Sequence, residues 1–248
     1  MPDFVQQALL LSLQVALATV LLSTPPALLL ATLMARRPWP GKWLLEGLIL
    51  LPMALPPAVV GLVLASGLGD GGALGAWLHA LTGWRLRFFP LGAILAATLM
   101  ALPLMVRVLR PALEASDPML LPVARTLGAT PWQGWFTVTL PMAWPAVASA
   151  MALGLAAAWG ESGATLVLAA ALSPQDLGDV TTAPLALIAA LQHPGGHPGG
   201  TAEGQLEAAW QLAWVSLGVA LSAVLLSEWG RRHWRRRWQA RPQAVGTP

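Results

Sequence analysis

From Arg125 to Glu161 the chain carries no Asp, Glu, Lys or Arg between its two end points, and this uncharged stretch constrains the fold more than any motif. A helix needs roughly 20 apolar residues, at 1.5 Å each, to cross a hydrocarbon core, and the stretch is long enough. Inside lipid the backbone has no water to bond, so an apolar run of this length is stable there as a helix that satisfies its own N–H and C=O groups. The rest of the chain agrees: 56% of the 248 residues are hydrophobic and 10% are charged, which a water-soluble domain does not sustain. The absence of cysteine excludes disulfide frameworks, thiol nucleophiles and thiolate metal sites. Tyr is absent while Trp is abundant, and Trp39, Trp43, Trp84, Trp159, Trp229 and Trp234 fall near expected helix ends, where an indole suits the membrane interface.

The apolar runs predict an all-α polytopic membrane protein with about five, and up to six, transmembrane helices in a single domain spanning 1–248. The expected spans are Ala8–Leu33, Leu44–Leu64, Phe88–Val106, Leu140–Trp159 and Ala208–Leu226. Two further runs, Gly163–Leu172 and Val180–Leu191, are too short to cross alone and read as re-entrant or interfacial pieces. Cations favour the cytoplasmic side of short loops. Arg36, Arg37 and Lys42 follow the first span, Arg107, Arg110 and Arg125 the third, and Arg231, Arg232, Arg235, Arg236, Arg237 and Arg241 the fifth. Asp3, Asp70, Asp176, Asp179, Glu203 and Glu207 fall in the opposite segments, with only Arg85 and Arg87 among them. This predicts an outside N-terminus and a cytoplasmic C-terminus ending in a short basic tail, 231–248, that anchors to anionic lipid rather than to nucleic acid.

The loop after the third span, 113–141, is built like a structured element. Thr130 can cap a helix whose first residue is Pro131, with Gln133 placed to answer the cap's own N–H. Gly128 suits the left-handed residue that closes a preceding helix beginning near Pro122. The expectation is two short helices joined by a Gly-Ala-Thr corner.

This loop resembles the signature of permease subunits of ABC importers, with Val123, Ala124, Gly128, Val138, Leu140 and Pro141 at the matching positions. The copy is degenerate: the family's usual Glu falls on Pro122 and its first Ala on Val123. The resemblance implies a type I importer permease fold. It also implies that Val123, Ala124, Arg125, Thr126, Leu127, Gly128 and Ala129 form a coupling helix docking on an ATPase subunit, with Leu140 and Pro141 closing the motif. Further blocks are similar to molybdate permeases: Ala35–Gly61, Leu99–Pro118, Ala124–Trp132, Trp159–Leu166, Leu191–Gly196 and Leu225–Arg232. Sulfate permeases share the first four more loosely. What this implies is a transport subunit, not an enzyme, working as a homodimer with two ATPase subunits and an external binding protein in a bacterial inner membrane. Its cargo would be molybdate, with sulfate, thiosulfate or tungstate as the alternatives.

A pore for an oxyanion must pass a dianion without holding it, so hydroxyls and amides suit its walls better than fixed cations. Ser12, Gln14, Ser23, Thr24, Thr98 and Ser149 are available in the spans, and each can equally bond its own helix. Pro25-Pro26, Pro56-Pro57, Pro103 and Pro145 are expected to kink or break their helices. Glu161, with Ser162 and Thr165 beside it, marks a candidate pore or gate element; its carboxylate could pair Arg107, cap a broken helix or act at a dimer gate. No metal or other cofactor is expected: the Pro and Gly residues around His193 and His197 forbid the helix that would align two imidazoles. No phosphate-cradling Gly-Lys-Ser/Thr loop occurs, so energy must come from another subunit. A secondary transporter would show paired repeats and charged coupling residues at the midplane, and a membrane enzyme a catalytic constellation; neither is visible.

Overall fold

The computed structural model describes residues 3–35, 39–69, 72–83, 90–115, 119–172, 182–192 and 202–239. The residues described are helices and connecting turns, without a strand. In chain order the helices are α1 Asp3–Ala35, α2 Lys42–Ala54, α3 Pro57–Leu68, α4 Ala73–Thr82, α5 Leu91–Glu114, α6 Leu120–Thr126, α7 Pro131–Gly134, α8 Leu140–Gly160, α9 Gly163–Leu172, α10 Ala183–Gln192 and α11 Ala202–Gln239. A π-helical turn, Trp135–Thr139, joins α7 to α8. Four stretches are long and apolar enough to cross a membrane, and α2 with α3 makes a fifth if that bent pair counts as one span.

Helix α1 shows how the bundle is held. Ala8, Ser12, Ala16, Thr19, Ser23, Ala27 and Ala31 recur at three- and four-residue intervals and are all buried, while Leu10, Leu13, Leu17 and Leu21 face outward. Lipid tails are as apolar as leucine, so helices gain little by burying it, and small residues are placed inside to let backbones approach. Against this stripe lie α5 and α8, and α11 packs on α8. Met34, Ile49, Met105, Leu109 and Val147 fill one end of the bundle. Val5, Ala8, Ala183, Ala208 and Leu212 fill the other.

The prolines divide into two outcomes. Pro25-Pro26, Pro103 and Pro145 stay inside continuous helices. At Pro56-Pro57 the expected second span breaks: Leu55 turns extended, as a residue before proline tends to, and α2 and α3 meet at 108°. Beyond the break α3 packs on α9, with Pro57 lying against Gly163. The predicted tail also differs, because α11 continues through Gln239 before residues outside the description begin. Arg and Gln favour helix, and no Gly or Pro interrupts 231–239. Arg36, Arg37, Asp70, Arg85, Arg87, Asp176, Asp179, His193, His197 and Arg241 lie outside the described residues.

Candidate coupling corner and helix breaks

The corner between α6 and α7 is closed by two local devices. Gly128 sits at φ 90°, in the left-handed region. Its N–H donates to the Arg125 carbonyl at 3.0 Å, and the Ala129 N–H donates to the Ala124 carbonyl at 3.0 Å. This is the paired closure of a helix end in which the residue past the cap is left-handed. Thr130 then opens α7: the Gln133 N–H donates to Thr130 Oγ1 at 3.3 Å, and the Thr130 N–H donates to Gln133 Oε1 at 2.8 Å. Helix α6 begins at Leu120 rather than near Pro122. Pro122 fits because the first turn of a helix has no partner for its N–H anyway.

The second short helix is not separate, as the sequence suggested it would be. It runs through the π turn into α8, so that Pro131–Gly160 is one apolar stretch. Pro141 has no N–H for the Thr137 carbonyl, and the wider turn takes up the defect, with the Leu140 N–H donating to the Trp135 carbonyl.

With its backbone ends and its Thr126 and Thr130 hydroxyls bonded internally, the corner presents mostly carbon, the Arg125 guanidinium apart. Met119, Val123 and Leu127 follow one another at four-residue spacing and are exposed, Leu127 to 83%, with Trp132 and Phe136 exposed beyond the turn. Ala124, Arg125, Thr126 and Ala129 complete the corner, the Thr126 hydroxyl returning to the Val123 carbonyl at 2.8 Å. Leu140 and Pro141 begin α8.

The second junction lies at Glu161-Ser162, between α8 and α9. Glu161 Oε1 accepts the N–H groups of Ala164 at 2.6 Å and Thr165 at 3.3 Å, and the Ser162 carbonyl accepts from Leu166. Of the three roles open to Glu161, the geometry is that of a cap; no ion pair joins it to Arg107 among the described residues. The restarted α9 packs on α3 through glycines. A Cβ on Gly61 would lie 2.9 Å from Ala164 Cα, and one on Gly163 would lie 2.7 Å from Pro57 Cβ. Both breaks, Pro56-Pro57 and Glu161-Ser162, thus meet at one place, with Thr165 buried beside it.

Most hydroxyls proposed for a pore are engaged. Ser23 donates to the Thr19 carbonyl at 2.7 Å, Thr24 to Val20 at 2.6 Å, and Ser149 to the Pro145 and Ser227 carbonyls. Ser12 accepts the Ala183 N–H at 2.6 Å and so caps α10 from α1. Thr98 Oγ1 is buried without a partner among the described residues, and Gln14 is exposed. Sequence reasoning missed the Ser12 cap and the Gly61–Gly163 seam, which join residues distant in the chain. It also missed Arg110, which pairs Glu46 at 2.6 Å and Glu114 at 2.7 Å and so ties α2 to α5. The Arg110–Glu114 spacing alone was visible beforehand.

Residues 27–194, which include the corner and both breaks, match the family of binding-protein-dependent transport system inner membrane components. The chain belongs to that family. The molybdenum transport system permease proteins ModB of Haemophilus influenzae and Escherichia coli K12 are 40% and 42% identical to it over 188 and 190 residues, covering 76% and 77% of this chain and 80% and 81% of theirs. The sulfate transport system permease protein CysT of Escherichia coli K12 is 39% identical over 142 residues, 57% of this chain and 51% of its own. A chain of a bacterial alginate ABC transporter, solved in complex with alginate pentasaccharide-bound periplasmic protein, superposes with a TM-score of 0.62 at 16% identity, covering 95% of this chain and 80% of that one. The fold is therefore that of an ABC importer type I permease, a transport component of the inner membrane rather than an enzyme.

Proposed function

We propose that this permease carries molybdate through the cytoplasmic membrane as the transmembrane subunit of an ATP-driven importer. Identity of about two in five to molybdenum permeases over three quarters of the chain is the observation that carries the reading. The match to the sulfate permease covers less of both chains, which makes sulfate, thiosulfate and tungstate the alternatives. In this reading two copies form the pathway across 1–248, two ATPase subunits drive it and an external binding protein delivers the anion. The N-terminus lies outside, and the α6–α7 corner and α11's basic end lie in the cytoplasm, as the distribution of cations supports.

The corner is the natural coupling element. The exposed Met119, Val123 and Leu127 stripe offers an ATPase surface an apolar ridge with few flexible polar atoms to desolvate. Gly128 and the Thr130–Gln133 cap hold the ridge rigid, so closure of the ATPases is transmitted as displacement of α8. At α8's far end lies the Glu161 break, the proposed gate element with Ser162 and Thr165. A helix N-terminus at membrane depth attracts anions. Glu161 supplies that charge from within the chain, leaving the anion to pass rather than be retained.

The test is ATP-dependent uptake of radiolabelled molybdate into vesicles holding the assembled transporter, with sulfate and tungstate as competitors. Molybdate uptake that persists in the presence of tungstate or sulfate at equal concentration supports molybdate selectivity; uptake of sulfate in preference overturns the substrate assignment.

A further inference from the structure

We propose that the groove between α1 and the α6–α7 corner holds an anionic phospholipid of the cytoplasmic leaflet, acyl chain inside and phosphate on Arg125. The inference rests on the orientation proposed above, which puts the corner on the cytoplasmic side. The groove encloses about 580 Å³ and is walled by Thr24, Leu28 and Thr32 of α1 and by Trp132 and Phe136, with Arg125 as its one charged lining residue. Apart from the Arg125 guanidinium and the Trp132 indole, its side-chain polar atoms are already bonded: Thr24 to the Val20 carbonyl, Thr32 to the Leu28 carbonyl, and Trp135 Nε1 to Thr32 Oγ1 at 3.4 Å. What remains inside is hydrocarbon, which suits an alkyl chain and not the anion that the transporter carries.

Three observations select the occupant. Arg125 makes no ion pair among the described residues, so it offers a free cation where lipid phosphates lie. Residues two apart on a helix point about 200° apart, so the Leu121 and Arg125 face of α6 is turned away from the Met119, Val123 and Leu127 ridge. An ATPase seated on the ridge therefore leaves the groove open to the membrane. A second copy of this chain is a poor counter-charge: among the described acids on this side, Glu46 and Glu114 are held by Arg110 and Glu228 by Arg232. Trp132, an exposed lining residue of the groove, is of the type that settles at headgroup level.

The experiment uses the assembled transporter in nanodiscs of equal phosphatidylglycerol and phosphatidylcholine, with the lipids retained on release counted by native mass spectrometry. The expected result is phosphatidylglycerol retained over phosphatidylcholine by about fivefold, the equivalent of ~1 kcal/mol for one cation near a phosphate. Arg125→Gln should abolish that preference, Arg125→Lys should keep it, and Leu28→Trp, which fills the groove, should lower retention of both lipids. An unchanged lipid ratio in Arg125→Gln overturns the proposal, as does full retention in Leu28→Trp. Because the chain has no cysteine, Leu127→Cys, expressed without the ATPase that would cover it and compared in intact cells and inside-out vesicles, reports orientation separately through an impermeant maleimide. Labelling from outside overturns the orientation and the lipid site together; cytoplasmic labelling without lipid selectivity overturns the lipid site alone.

Discussion

The chain stops and restarts a helix at both the Gly128 corner and the Glu161 break, but closes them differently. At the corner a hydroxyl and an amide exchange hydrogen bonds at an exposed surface. At the break a half-buried carboxylate accepts two backbone N–H groups beside the Gly61–Gly163 seam. The environment explains the choice. Water satisfies a helix start that loses its cap, whereas a buried backbone group such as the N–H of Ala164 or Thr165 costs about 1–3 kcal/mol when left unsatisfied. The corner can therefore be tuned for what it presents outward, while the break must first keep itself closed.

Substitutions separate the two regions, the largest effect coming from the seam. Gly61→Val should force α3 off α9, as overpacking costs typically 1–3 kcal/mol and backbone offers no flexible end to yield. The expected outcome is loss of the folded protein from the membrane, seen as loss of monodisperse protein on size-exclusion chromatography. Leu127→Asp should leave folding intact, because the side chain is 83% exposed, yet reduce ATPase binding and uptake by about tenfold or more, as removal of an apolar anchor does. Normal co-purification of the ATPase with this variant would contradict the coupling role of the ridge.

Comparing the caps sharpens the contrast further. Glu161→Ala should lower stability by about 2 kcal/mol or more and Glu161→Gln by less, since the amide oxygen still accepts. Gly128→Ala should cost about 1–2 kcal/mol locally, for placing a Cβ at φ 90° where space is open but the backbone is strained. Thr130→Ala should cost about 1 kcal/mol. Thermal unfolding in one detergent orders the set; a Thr130→Ala loss equal to that of Glu161→Ala would erase the distinction drawn between the two junctions.

Legibility in the sequence follows the same divide. The corner could be read residue by residue because its bonds are local: Gly128, Thr130, Pro131 and Gln133 each act within four positions. The spans were legible from uncharged length; the short runs after Glu161, expected as re-entrant or interfacial pieces, are the helices α9 and α10. The break at Pro56-Pro57 was not separable from the continuous helix at Pro25-Pro26 by sequence. The same dipeptide gives opposite results: around Pro25-Pro26 the helix packs along α5 and α8 on both sides of the dipeptide, whereas Pro56-Pro57 lies where α3 turns onto α9. Equally, the merging of α7 into α8 depends on a π turn that no single residue announces. Glu161 was marked by its charge, but its role as a cap needed the coordinates of α9.

The central claim is that the corner couples an ATPase to oxyanion passage. The direct measurement is ATP-driven uptake of radiolabelled molybdate by the assembled transporter, comparing the native chain with Leu127→Asp in the same vesicles. The account predicts uptake that requires ATP and binding protein, resists sulfate competition and falls about tenfold or more in the variant. Undiminished uptake in the variant, with ATPase still bound, would contradict it.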